Sequence, residues 1–167
     1  MTPAELLKDA FGRIVESGTA VVDGLSEDQL ASRPAPGTNS IAWLVWHLAR
    51  VQDDHVAEVA GREQVWTAQG FVGRFGLPFE QDATGYGQSA EEVGQVRASA
   101  DLLAAYLRAV HEQTVAYLDT VSADDLDRVV DEQWDPPVTL GVRLVSVVDD
   151  DTQHVGQAAY VRGLLPS

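Results

Sequence analysis

The sequence predicts an all-α protein built as a four-helix bundle, and three observations carry that prediction. Four long stretches repeat apolar residues at the three-to-four spacing of a single helical face. Helix-start signatures stand before them. No segment alternates apolar and polar residues convincingly enough for a half-buried strand. Helices with one apolar stripe each must bury it on one another, and two antiparallel pairs do so as a bundle.

The first helix starts at Thr2-Pro-Ala-Glu5, a capping box with proline in the first turn, where its missing N–H is no loss. Leu6, Leu7, Ala10, Phe11, Ile14, Val15, Val21 and Val22 keep its period to about Asp23. Ser26-Glu-Asp-Gln29 caps a short turn, and Arg33 to Asn39 is a loop. Asn39 or Ser40 caps the second helix, whose face runs through Ile41, Leu44, Val45, Leu48, Val51, His55, Val56 and Val59. Ser89-Ala-Glu-Glu92 is a capping box that predicts a third long helix from Val93 through Val96 and Leu102 to Leu118. Ser122-Ala-Asp-Asp125 starts a turn, and Trp134-Asp-Pro-Pro137 stops any regular element before it. Thr139 caps the last helix, from Leu140 until Gly163 and Pro166 end it.

Between the second and third long helices lies a Gly- and aromatic-rich loop, 61–88. It carries glycines at 61, 70, 73, 76, 85 and 87, with Trp66, Phe71, Phe75, Phe79 and Tyr86. A connection this long is usually a lid or a binding loop. It reads equally as a linker packed over the bundle by its aromatics, and the two readings are compatible.

Composition narrows the function. The 167 residues, 45% of them hydrophobic, fit a single domain, 1–167, with a real core. A net charge of −15 repels phosphate backbones, so neither nucleic acid nor an anionic membrane is an expected partner. There is no cysteine, which removes disulfides, thiolate metal sites and a cysteine nucleophile. No run approaches the ~18 apolar residues of a membrane span. The N-terminus lacks the basic and apolar regions of a signal peptide, so a cytoplasmic location is expected.

The last helix carries Val148-Asp-Asp-Asp-Thr-Gln-His154 inside an apolar pattern. Asp150 and His154 are four apart and share a face, which continues through Val147, Ala158, Val161 and Leu165. Asp149 and Asp151 flank that stripe and are expected to reach water. An inward Asp and His need partners, and His47, on an apolar face of the second helix, offers one. Two histidines and a carboxylate from two helices make three N/O ligands for a divalent metal with positions left open. The same residues also read as a satisfied core histidine and a helix-stabilising pair, and spacing alone does not decide between these. His55 is a spare ligand or a wall residue, and His111 is expected to be structural or exposed.

The segments Ile41-Ala-Trp-Leu-Val-Trp-His-Leu-Ala-Arg50 and Asp150-Asp-Thr-Gln-His-Val-Gly-Gln157 resemble the DinB-like superfamily, which includes mycothiol-dependent maleylpyruvate isomerases and mycothiol and bacillithiol S-transferases. The resemblance spans nearly the whole chain and implies a metal-binding four-helix bundle. It implies a divalent metal, zinc or nickel before iron, held by a histidine triad. His47 matches the first ligand, His154 the last, and Asp150 stands where the family has its middle histidine. Trp134 to Arg143 and Gly76-Leu-Pro-Phe79 look like an actinobacterial branch, which favours mycothiol as the co-substrate.

The expected function is therefore a metal-dependent transfer of a small-molecule thiol to an electrophile, as S-transferase or isomerase. In this reading Gln157 is a second support for the ligands, and Arg143 and Arg162 are candidates for an anionic substrate group. A non-catalytic metal- or ligand-binding bundle, with a homodimer compatible, is the alternative that Asp150 favours. An iron oxygenase using two histidines and a carboxylate is a third.

Overall fold

Each long helix begins where a side-chain oxygen meets backbone N–H groups that have no partner within the helix. A computed structural model describes residues 1–166 of the chain. In α1 (Pro3–Val22) Thr2 Oγ1 accepts from Glu5 N while Glu5 accepts from Thr2 N, the reciprocal box its sequence predicts. Ser26 and Gln29 repeat that exchange at α2 (Glu27–Ala31). Ser40, and not Asn39, caps α3 (Ile41–Ala60), and Gly61 closes it in the left-handed conformation at φ 60°. The 61–88 segment contains two short helices, α4 (Val65–Ala68) and α5 (Phe71–Phe75). Thr139 caps α8 (Leu140–Gly163) as expected.

The third long helix departs from the sequence expectation. The Ser89 box opens only a short α6 (Ala90–Gln95); the chain then runs extended through Val96, and Ser99 caps α7 (Ala100–Leu118). Gly94 weakens helical continuation there. Val96 and Ala98 bury themselves from the extended segment, so burial does not require a continuous helix. A 3-10 turn at Asp124–Asp127 follows. Two very short strands, β1 (Val129–Asp131) and β2 (Val138–Thr139), then pair antiparallel across the Trp134 loop.

α1 and α3 each pack against both α7 and α8, closing a four-helix ring. Phe11, Ile14, Leu48, Leu107 and Leu144 fill its centre, each burial stabilising the fold by ~1.5–3 kcal/mol. α1 and α7 come closest at Gly18, where a Cβ would lie 2.5 Å from Leu107 Cδ2.

The buried stripe of α8 is Leu140, Leu144, Val147, Asp151, Val155, Ala158 and Val161. Asp151, expected at the solvated edge, is therefore at the centre of the stripe and fully buried, while Asp149 is exposed. Neither Asp151 oxygen has a hydrogen-bond partner among the described residues. Burial first, and the Asp150 charge second, push its carboxyl well above the usual carboxylate range.

The 61–88 segment is held from beneath by α3. Asp53 accepts from Val65 N (2.9 Å), Trp66 N (2.8 Å) and the Tyr106 hydroxyl (2.8 Å). Arg50 donates to Ala83 O (3.0 Å), Gln64 Oε1 (2.8 Å) and Tyr106 Oη (3.3 Å), and lies over the Trp66 ring. Trp66, Phe71 and Phe75 pack around Tyr106. Tyr86, by contrast, is 92% exposed.

Candidate metal centre

α3 and α8 present one stripe each to a shared groove: Leu44, His47, Val51 and His55 from α3, and Arg143, Val147, Asp150, His154 and Gln157 from α8. Midway along it His47, Asp150 and His154 converge, with one potential ligand atom from each lying within 4.8 Å of the others. His47 is buried, and the His154 and Asp150 side chains are 16% and 40% exposed, so the cluster lies between core and solvent.

Hydrogen bonding sets the imidazole tautomers. Thr84 O lies 2.6 Å from His47 Nδ1, and a carbonyl only accepts, so Nδ1 carries the proton and Nε2 keeps its lone pair. His154 Nδ1 pairs with the Gln157 side-chain amide at 3.1 Å, and His154 Nε2 lies on the side of Asp150. Burial lowers the His47 pKa, which the Thr84 contact only partly opposes, and so favours the neutral, ligating form. The His154 Nε2–Asp150 Oδ1 distance of 3.7 Å is too long for a hydrogen bond. Asp150 Oδ2 is buried without a partner among the described residues. Two imidazoles and a carboxylate whose ligand atoms gather within 4.8 Å, with one carboxylate oxygen left unpartnered among the described residues, fit a divalent cation.

The surroundings fix these rings. Trp43 stacks on His47 at a centroid distance of 4.4 Å and meets His154 edge-on at 6.1 Å. Its indole N–H donates to Gln88 Oε1. Gly85, at φ 97°, lets the loop backbone approach; a Cβ there would stand 2.7 Å from His47 Nδ1 and 3.0 Å from Trp46. The aromatic loop thus reaches the site through backbone atoms of Thr84 and Gly85. Neither residue was legible as functional; the glycines 85 and 87 around Tyr86 were the only local signal.

Of the other candidates, Gln157 pairs with His154. His55 and Arg143 lie further along the groove, and not among the three converging groups. Arg143 donates to Glu58 (2.6 Å), Asp131 (3.3 Å) and His55 Nδ1 (3.2 Å). Together with Val51, Trp134 and Asp150 they line a cavity of about 450 Å³. Arg162 instead closes the C-terminal end of α1, donating to the carbonyls of Ala20, Val21 and Asp23. His111 lies on α7, half-buried, with Nδ1 unpartnered among the described residues.

Comparison with known proteins agrees with this architecture. A solved structure from Enterococcus faecalis, titled a conserved protein of locus, superposes with a TM-score of 0.92 at 33% identity, covering 98% of this chain and 97% of that one. No match is found among curated proteins. No described helix is long and apolar enough to cross a membrane. The sequence pattern of the mycothiol S-transferases matches residues 6–166, and the chain belongs to that family of DinB-like proteins.

Proposed function

We propose that this protein is a metal-dependent thiol S-transferase that conjugates mycothiol to a small electrophile in the cytoplasm. The observation carrying the proposal is the convergence of His47, Asp150 and His154 ligand atoms within 4.8 Å, with the His47 tautomer set by the Thr84 carbonyl. His47, Asp150 and His154 are the ligands, and zinc or nickel suits their donor set better than a hard cation does. A divalent metal held there supplies the charge that deprotonates a coordinated thiol, whose free pKa is near ~8.5.

The chain's own residues do the rest. Thr84 and Gln157 hold the two imidazoles in orientation and keep the ligating nitrogens free. Trp43 covers one face of His47 and shields it from water. In the transfer, the sulfur lone pair forms a carbon–sulfur bond as the leaving group departs with its bonding pair, and the thiol proton is released. Arg143 is already paired with two carboxylates, so it shapes its cavity and is not a free anion receptor.

The test is metal content by plasma mass spectrometry on untagged protein, for wild type and for His47→Ala, Asp150→Ala and His154→Ala. Near-stoichiometric metal that is lost in all three variants supports the ligand set. Retention in Asp150→Ala removes Asp150 from it. A second reading, a metal-binding bundle without turnover, is favoured by Asp150 itself. An anionic ligand lowers the net charge of the site relative to three histidines and weakens its acidifying power. Mycothiol conjugation by metal-loaded wild type separates the two.

A further inference from the structure

A second cavity, of about 460 Å³, lies at the opposite end of the same groove from Arg143. Leu44 and Gln157 line it, each one turn beyond a proposed ligand, His47 and His154 respectively. The loop before α3 closes it through Pro34, and the end of α8 through Tyr160 and Val161. The remaining lining residues, Thr38, Asn39 and Gly156, bring hydroxyl, amide or backbone, so the walls hold no charged side chain. That is notable in a chain of net charge −15. The cavity at the Arg143 end also has apolar walls, from Val51, Trp134 and Val147, but adds the charged or titratable Asp131, Arg143, His55 and Asp150. The three converging groups lie between the two.

We propose that the Leu44–Tyr160 cavity binds an uncharged, apolar organic molecule. Resting on the thiol-transfer reading, that molecule is the electrophilic acceptor, and the cavity at the other end, which carries the charged groups, is left to the hydroxyl-rich thiol. The volume falls in the range that encloses most of a small organic ligand, ~300–1,000 Å³. Apolar walls favour an apolar guest, and a charged one would lose its hydration there without gaining a partner. Gln157 links the cavity to the site, because its oxygen holds His154. The two reactants therefore approach from opposite ends of the groove and meet between α3 and α8.

The test is fluorescence titration with the neutral apolar probe N-phenyl-1-naphthylamine, on the intact chain with and without chelator. Gly156 is the substitution site of choice, since it lines the cavity and a Cβ there meets nothing within 4 Å. Gly156→Leu is expected to weaken probe binding at least tenfold. Tyr160→Glu, at a position 70% exposed, places a charge at the rim without touching the core and shifts affinity the same way. No saturable binding by wild type, or equal affinity in wild type and both variants, overturns the proposal.

Acceptor choice is read separately, as kcat/KM for mycothiol transfer to 1-chloro-2,4-dinitrobenzene and to its carboxylated analogue 4-chloro-3-nitrobenzoate. Each is divided by the uncatalysed rate constant for the same pair, because the dinitro compound is intrinsically far more reactive. At least a tenfold preference for the uncharged compound is expected, and an equal or reversed preference overturns the acceptor assignment. Probe binding that follows the variants, with no transfer to either compound, removes the transfer reading and supports the cavity assignment alone.

Discussion

His47 and Arg50 sit three residues apart on α3, and both bury a polar head beneath the 61–88 segment, yet the two clusters end differently. Around Arg50 the bonding closes on itself: its guanidinium reaches Ala83 O, Gln64 and Tyr106, and Asp53 accepts from two backbone amides and a hydroxyl. Around His47 it stays open. One ring nitrogen is tied to Thr84 O, while the other faces a carboxylate with an unpartnered oxygen. Burying unmatched polar atoms is unfavourable. A cluster that satisfies itself is explained by holding the fold, and one that leaves donor atoms converging on a gap calls for something to fill it.

The largest effect that tests this contrast belongs to the closed cluster. Arg50→Met leaves Asp53 buried without its cation and is expected to destabilise the fold by about 3–5 kcal/mol in urea denaturation. A change under about 1 kcal/mol would show that the network is not an anchor. Gly85→Ala comes next. It forces a Cβ against His47 at a φ that side chains avoid, with a stability loss of about 1–3 kcal/mol. Calorimetric titration should also show zinc binding at least tenfold weaker, and unchanged affinity would detach the loop from the site.

Gln157→Ala is the cleaner probe of the open cluster. It should lower zinc affinity 10–100-fold, about 1.4–2.7 kcal/mol, through the freed His154 ring. Because Gln157 is exposed, folding stability should change by less than about 0.5 kcal/mol. A stability loss larger than the affinity loss would make it a structural residue.

The smallest effect concerns His111, which burial holds below the ordinary value of 6.5. Its folded pKa is the lower one, so the unfolded chain binds the proton first. Its stability contribution is complete above pH 6.5 and is lost as pH falls toward the folded value. His111→Gln should therefore lose less stability than wild type between pH 7 and pH 5, measured by urea titration at each pH. Parallel curves would remove His111 as a source of acid sensitivity.

What was legible in the sequence was local. Thr2, Ser26, Ser40 and Thr139 cap helices through contacts three residues away, so the signal and the structure occupy the same short window. Ser89 shows the limit, because its box is genuine yet opens a helix of only six residues. Ser99 followed by Asp101 marked the true start of α7, but the apolar Val96 appeared to carry the period across the break. The facing of Asp150 and Asp151 was misjudged for a related reason. The steps 147, 151, 155, 158 put Asp151 on the core stripe and set Asp150 at its edge beside His154. The Arg50–Asp53–Tyr106 network and the Thr84 carbonyl join residues more than thirty positions apart, apart from the Arg50–Asp53 pair itself, and nothing in local spacing announces them.

If His47 holds an ion as proposed, the carbonyl of Thr84 makes the aromatic segment a participant in its affinity, because linkage is reciprocal. An ion drawing electrons from Nε2 of His47 makes the Nδ1 proton a better donor, and the grip on Thr84 tightens. Occupancy should then slow hydrogen exchange of the amides around Gly85, and a chain held firmly at Gly85 should in turn keep its ion longer. The dwell time of the metal and the opening rate of a surface segment become two readings of one free energy.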